Sequence, residues 1–345
     1  MQEVDFLIIG QGLAGTLYAH YAMQQGHSIM VLNDESTMAS SLVAAGMYTP
    51  VNPKRMSVAW LYEKLYSTLQ QTYSLLEAQT QARFFYPMPV YNAISNAKES
   101  NDFSGKMSDP IFVSYISSET KQTLPIKQEL GGFEIAKSGW VDIPVLIASF
   151  RMLLQKRFAY KNEVFELSSL VESDDGVLYK HIKAKYVVIC IGQQLHAAGF
   201  FGKHKGTKGD TLIVEAKGLP DDMILKKGIY MVPLQANRFK VGATYNRDFK
   251  DATPQNEAAQ ELMQKFENLT AAKATILAHQ AAIRPTTPDR KPLLGRLQEH
   301  SRVFIFNGLG TKGVTYGPFF ATHLFNHIVH GDALIPEIDI KRYYK

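Results

Sequence analysis

The chain has 345 residues, 46% of them hydrophobic and 20% charged, which allows two domains and a large buried core and is ordinary for a globular protein. No apolar run is long enough to cross a bilayer, the first residues carry Glu3 and Asp5 rather than a signal-like basic stretch, and one cysteine, Cys190, leaves no intrachain disulfide; a cytoplasmic protein is expected. The net charge of +5 suits an acidic or phosphate-bearing ligand, but the basic residues are scattered, so RNA is a possible partner rather than a favoured one.

Residues 4–9 form a continuous apolar run, the pattern of a parallel strand buried on both faces. Helical periodicity follows over 13–25 and a second buried strand over 28–32, which together make a βαβ unit. A helix is predicted over 57–81. Between 83 and 133 the texture changes: residues 84–94 and 111–116 alternate apolar and polar side chains, as in antiparallel sheet. Residues 142–158 read as a helix with Asp142 as cap and Pro144 in its first turn. Residues 185–191 are another doubly buried strand, ended by Gly192.

Three strand-like segments recur from 210 to 245, then a helix near 254–268. A buried strand at 303–306, a glycine-rich turn and a helix over 314–329 close the chain. Nucleotide-binding elements thus fall in three stretches, 1–82, 138–205 and 285–345, and sheet-forming segments in 83–137 and 206–284. The expected class is α/β, with two interleaved domains.

Gly10-Gln11-Gly12-Leu13-Ala14-Gly15 lies between a predicted strand and a predicted helix. Glycines at this spacing permit a tight turn, backbone approach to a pyrophosphate and close helix–strand packing, with the helix N-terminus favouring the anion. An acidic residue should end the second strand and hold the ribose hydroxyls. Here Asn33 stands at that place and Asp34 follows, so either side chain could make the contact.

Other blocks fit one family. They are Ser40-Ser41 with Ala44-Ala45-Gly46-Met47, then Gly139-Trp140-Val141-Asp142, residues 185–192, Tyr230-Met231-Val232-Pro233 and Lys240-Val241-Gly242-Ala243-Thr244. The most specific are Ile283-Arg284-Pro285-Thr286-Thr287-Pro288-Asp289 and Asn307-Gly308-Leu309-Gly310-Thr311-Lys312-Gly313-Val314. In order and spacing they resemble the D-amino-acid oxidase and glycine oxidase superfamily over essentially the whole chain. The resemblance implies an FAD-binding, Rossmann-like domain of the glutathione-reductase type, interleaved with a substrate domain on an antiparallel sheet.

By the same resemblance FAD, held non-covalently, would lie against the glycine loop (Gly10, Gln11, Gly12, Leu13, Ala14, Gly15), the ribose-side pair (Asn33, Asp34), Gly192 near the adenine side, Val164, and the ring-side segment (Ser40, Ser41, Ala45, Gly46, Met47). The turn Gly308, Leu309, Gly310, Thr311, Lys312, Gly313 and Val314 would face the flavin ring, where backbone N–H groups and the helix dipole stabilise negative charge. Arg284 corresponds to the arginine that grips the substrate carboxylate, for which guanidinium geometry is suited. Tyr230 corresponds to the tyrosine assisting it, and Lys312 is a third catalytic candidate.

The implied reaction is oxidation of the C–N bond of a small amino acid or secondary amine by hydride transfer to flavin N5. The imine is then hydrolysed, and O₂ or another acceptor reoxidises the flavin. The 308–313 turn also resembles that in the oxidase domain of a bifunctional enzyme acting on carboxymethylaminomethyl uridine in tRNA. A flavin dehydrogenase passing electrons to a non-oxygen acceptor is a further alternative. Three features are discounted. His323, His327 and His330 share a helix face but have no completing ligand nearby, so no metal is expected. Cys190 and Phe84-Phe85-Tyr86 read as core.

Overall fold

A computed structural model describes residues 1–118, 124–197, 200–201 and 204–344. The first large sheet runs Tyr160–Asn162, Ile29–Asn33, Gln2–Ile9, Ile182–Ile189, Gly176–Tyr179, Leu170–Ser173, and Val303–Asn307 also pairs with Ile182–Ile189. Its central strands are parallel, with Phe6 opposite Ile29 and Tyr186, and Val188 opposite Phe304. Alternate side chains serve two cores, as a doubly covered parallel sheet requires. Phe6 and Ile8 meet the helices Leu13–Gln24, Tyr62–Thr80, Ile143–Lys156 and Gly313–His330, while Leu7 and Ile9 pack with Val187, Val303 and Ile340.

The second large sheet runs Ala274–Arg284, Thr207–Ala216, Arg238–Gly242, Ile229–Pro233, Ile224–Lys227, Val90–Ala93, Gly132–Ile135, Ile116–Ser118. It is antiparallel except where Ile224–Lys227 meets Val90–Ala93. One face buries Leu212, Val214, Met231, Phe239 and Val241 against Leu262 and Phe266 of the Asn256–Leu269 helix. Side chains alternate across a strand, so Gly209, Thr211, Tyr230, Lys240, Ala282 and Arg284 turn to the opposite face, toward the first sheet. A small sheet of Met47–Tyr48, Gly139–Val141 and Phe85–Pro87 lies beside them.

Several elements differ from expectation. The predicted strand at 111–116 is in large part a one-turn helix, Pro110–Val113, because Asp109 accepts from Ile111 N and Phe112 N and Pro110 opens the turn; only Ile116–Ser118 is extended. The helix expected from 57 begins at Tyr62, since Ser57–Val58 pairs with Val51–Asn52 and Leu61 is left-handed. The three segments between 210 and 245 are four strands, a turn at Gly228 splitting Ile224–Lys227 from Ile229–Pro233. The helix Ala97–Lys106, capped by Asn96, was not foreseen, nor was the 11-residue strand Ala274–Arg284. The Asp142 cap is present, accepting from Val145 N at 3.2 Å.

Candidate functional site

A cavity of 520 Å³ lies between the two large sheets and reaches from Asn33 and Asp34 at one end to Tyr230 and Arg284 at the other. At the first end the glycine loop leaves Gln2–Ile9 and enters Leu13–Gln24. Gly15 packs so closely on this loop that a Cβ would come within 1.9 Å of Gly10 O. Ser41 Oγ accepts from Leu13 N at 3.1 Å and takes one of the free donors of the helix start. Gly10, Gly12, Leu13 and Ala14 line the cavity with the ring-side residues Ser40, Ser41, Ala45, Gly46 and Met47.

The strand end has a division of labour. Asn33 Oδ1 accepts from Gln11 N at 2.8 Å, so its carbonyl braces the glycine loop. Gln11 is buried, donating to Ile147 O at 2.9 Å and accepting from Arg151 Nε at 2.7 Å. Arg151 pairs with Glu35 at 3.3 Å, and Tyr160 donates to the same carboxylate at 2.5 Å. Asp34 lines the cavity beside Asn33. Its carboxylate accepts from the Ser36 and Thr37 hydroxyls at 2.5 and 2.6 Å, and these bonds, Ser36 first, hold its pKa below the usual range.

Val164 and Gly192 also line this end. Of the 308–313 turn, Leu309, Gly310, Thr311 and Gly313 line the cavity with Val314. Asn307 anchors the turn, donating to Gly192 O at 2.9 Å and accepting from Gly308 N at 2.7 Å. No side chain caps the helix Gly313–His330 that follows, so the donors of its first turn are left for a ligand.

At the far end Arg284 donates to Lys208 O and Thr244 O, both at 3.3 Å. Among the described residues no carboxylate forms an ion pair with it. Burial lowers its pKa, opposed by Tyr230, but a guanidinium keeps its charge in proteins. Tyr230 lies over Gly242, its partner across the strand ladder. Burial pushes its hydroxyl up to about 12 while Arg284 pulls the other way, so the phenol stays protonated and can donate. Thr211 Oγ1, on the same face, is buried without a partner and its residue lines the cavity. A cation, a phenol and an unsatisfied hydroxyl thus converge on space suited to a small anion.

Four residues of the expected set do not line the cavity: Gln11 and Gly15 support the loop from behind, Gly308 packs on Thr287 and Leu293, and Lys312 turns toward Tyr316. Sequence reasoning passed over Thr37, Glu163, Phe165, Gln194, Gly209 and Thr211, all of which line it. For the last two a signal existed, since they alternate with the core residues Leu212 and Val214. Cys190 is buried in the core and borders the cavity. His323 accepts from Ile335 N and His327 meets Asp332 O, and no metal-binding group occurs among the described residues.

The sequence profile of the family described as FAD dependent oxidoreductase (DAO) matches residues 5–326. The chain belongs to that family. FAD is therefore its cofactor, and the glycine loop, the uncapped helix start and the long cavity fit such a group. The chain is 24% identical over 337 residues to the tRNA 5-methylaminomethyl-2-thiouridine biosynthesis bifunctional protein of Idiomarina loihiensis, covering 92% of this chain and 54% of that protein. It is 29% identical over 173 residues to the glycine oxidase of Bacillus subtilis, 45% of this chain and 46% of that one. It spans about half the length of the curated relatives it matches.

In fold it is similar to the iminodiacetate oxidase of Chelativorans sp. BNC1, with a TM-score of 0.77, 22% identity and 98% of each chain covered. Glycine oxidase from Geobacillus kaustophilus gives 0.76 at 20% identity, with 99% of this chain and 98% of that one covered. The family's α/β architecture with a Rossmann-like FAD-binding sheet is the one described above. No helix among the described residues is long and apolar enough to cross a membrane.

Proposed function

We propose that this oxidoreductase oxidises the C–N bond of a small amino acid or secondary amine. The observation carrying this reading is Arg284, a guanidinium held among the described residues by two carbonyls and no carboxylate, beside Tyr230 and the unpartnered Thr211 hydroxyl. A substrate carboxylate on Arg284 and Tyr230 fixes the α-carbon and its amine toward the ring-side segment. The first sheet, its glycine loop and the 308–313 turn would hold FAD, and the second sheet would carry the substrate. Bound there, FAD would supply a two-electron acceptor for the α-carbon hydride, with the amine's lone pair forming the C=N bond and water hydrolysing the resulting imine. The protein needs no general base if the amine binds unprotonated. O₂ or another acceptor then takes the electrons.

The test is an anaerobic visible spectrum of the FAD-loaded protein before and after glycine, sarcosine or proline. Bleaching by one of them supports the reading; an oxidised flavin with all three counts against it. A second reading, oxidation of a carboxymethylaminomethyl uridine in tRNA, draws on the relatives named for tRNA biosynthesis, which match over nearly the whole chain. Bleaching by modified tRNA but by no free amino acid would favour it. Peroxide formation on reoxidation separates an oxidase from a dehydrogenase that uses another acceptor.

A further inference from the structure

One transverse row of the second sheet borders the substrate end of the cavity. Gln280 of Ala274–Arg284 stands opposite Thr211 of Thr207–Ala216, Thr211 opposite Gly242 of Arg238–Gly242, and Gly242 opposite Tyr230 of Ile229–Pro233. Residues directly opposite each other share a face, so Gln280 and Thr211 turn to the cavity side with Tyr230. Thr211 is 3% exposed and lines the cavity. Among the described residues its Oγ1 has no hydrogen-bond partner, and neither has the buried Oε1 of Gln280. A buried oxygen left unpaired is costly, and two of them side by side at a cavity mark a place where a ligand completes the bonding.

Thr211 does not duplicate the Arg284 and Tyr230 pair. Its methyl group faces Gly242, 3.0 Å from where a Cβ would stand there, and the Tyr230 hydroxyl lies 2.6 Å from the same point. The hydroxyl branch of Thr211 therefore leaves on a different side from the one that meets Tyr230. The Arg284 guanidinium lies over Gly209, two residues before Thr211 on one strand and so about 6.8 Å away along it. A carboxylate and the amine on the next carbon cover that span with a hydrogen bond at each end. Beyond Thr211 the face leads to the ring-side segment: Lys240, opposite Ile213, donates to Val43 O and Ala44 O, both at 3.3 Å. Guanidinium, hydroxyl and ring-side segment thus follow one another along the face.

We infer that Thr211 Oγ1 is the acceptor for the substrate's amine N–H, with its own hydrogen donated to Gln280 Oε1. The inference rests on the proposed amine oxidation and deepens it. Gln280 is a positioning residue: once the Thr211 hydroxyl commits its one hydrogen to that carbonyl oxygen, it presents only lone pairs to the cavity. Both orphaned oxygens are satisfied when the amine is bound. The bond to the amine also strengthens during the reaction. As the α-C–H bond breaks and its electron pair passes to the two-electron acceptor, the nitrogen lone pair becomes the second bond of C=N and the nitrogen takes on positive charge. An N–H on a positive nitrogen is the stronger donor, so Thr211 holds the transition state more tightly than the bound amine. The subsite selects primary and secondary amines and leaves a neutral tertiary amine without this bond.

Three small carboxylates test it on the FAD-loaded protein, their dissociation constants read from the perturbation of the flavin absorbance without turnover. Glycolate carries an O–H donor at the amine position, propionate a methyl group of similar size, and methoxyacetate an oxygen that only accepts. Glycolate should bind about five- to tenfold tighter than either of the others, the scale of one hydrogen bond to a buried acceptor. Thr211→Val should bring the ratio of glycolate to propionate close to one, and Thr211→Ser should keep it. Gln280→Leu frees the Thr211 hydrogen, so methoxyacetate should gain on glycolate, a shift that mere loosening of the sheet would not produce. Equal binding of glycolate and propionate, an unchanged ratio in Thr211→Val, or methoxyacetate binding the parent protein as tightly as glycolate overturns the inference. Flavin bleaching by glycine or sarcosine is scored separately. With bleaching and no preference for glycolate only the Thr211 assignment falls; with that preference, its loss in Thr211→Val, and no bleaching by any amine, the amine-oxidation reading falls.

Discussion

The guanidinium of Arg284 occupies the space that Gly209 leaves on the neighbouring strand: a Cβ at Gly209 would come within 1.9 Å of Nη2 and 2.3 Å of Cζ. The two residues lie on adjacent antiparallel strands, with Gly209 opposite Ala282 in the ladder. Gly209→Ala should therefore swing the guanidinium off its two carbonyls. A charge-assisted hydrogen bond contributes about 1.5–3 kcal/mol, so KM for the amine substrate should rise roughly 10- to 100-fold. FAD content should stay unchanged, because the atoms nearest to a Gly209 side chain all belong to the Arg284 guanidinium. Arg284→Ala should give a larger effect of the same kind. Steady-state kinetics with the flavin spectrum as control checks both, and an unaltered KM in Arg284→Ala removes it from the substrate site.

Much of the first sheet was legible because its signals are local. The apolar run before Gly10, the glycine spacing and the Asp142–Pro144 helix start each specify their element within a few residues. The substrate face was harder. Alternation in Thr207–Ala216 shows that Gly209 and Thr211 share a face, but only the long-range pairing with Ala274–Arg284 shows that this face meets a cavity. The 111–116 segment was misread because its aromatic and β-branched residues suit a strand, whereas Asp109 and Pro110 immediately upstream set a helical turn. Asn33 was recognised as the strand-end residue, yet its carbonyl's service to Gln11 N depends on how the loop folds back.

That service has a measurable consequence. Asn33→Ala removes the acceptor for Gln11 N, and loss of one such partner costs about 1 kcal/mol. The affinity for FAD should fall roughly fivefold. Asn33→Asp retains a carbonyl-like oxygen at the same position and should bind FAD at least as well as Asn33→Ala. Titration of the apoprotein by quenching of flavin fluorescence measures both. Equal affinity of Asn33→Ala and the parent would show that the loop holds its shape without this bond.

Gly15 offers a sharper cut at the same loop. The 1.9 Å approach of a Cβ to Gly10 O cannot be relieved by a side-chain rotation, because the obstacle is backbone. Gly15→Ala should push the Leu13–Gln24 helix and the loop apart, with an overpacking cost of about 1–3 kcal/mol. The purified variant should lack flavin colour and melt at a lower temperature, while its circular dichroism stays that of a folded α/β protein. Retention of stoichiometric FAD would contradict this account of the loop.

The corner after Arg284 contributes to a dependence of stability on pH. His196 Nε2 donates to Thr286 O at 2.8 Å, His204 Nε2 donates to the same oxygen at 2.6 Å, and the buried His196 Nδ1 has no partner. Burial lowers the His196 pKa below its ordinary value, opposed by the Thr286 bond; burial also lowers those of His20 and His323. In the unfolded chain these rings take up protons near pH 6.5, whereas in the folded protein they remain neutral to lower pH. Between the two values the unfolded state binds more protons, so stability is fully present above pH 6.5 and declines as pH falls through it. The maximal slope is about 1.4 kcal/mol per pH unit for each such group. His196→Gln keeps a donor for Thr286 O without a titrating ring, and should flatten the decline between pH 7.5 and 5.5 by up to one group's share. Urea unfolding across that range measures the slope; an identical slope in the variant would mean that the His196 ring protonates in the folded protein as readily as in the unfolded chain.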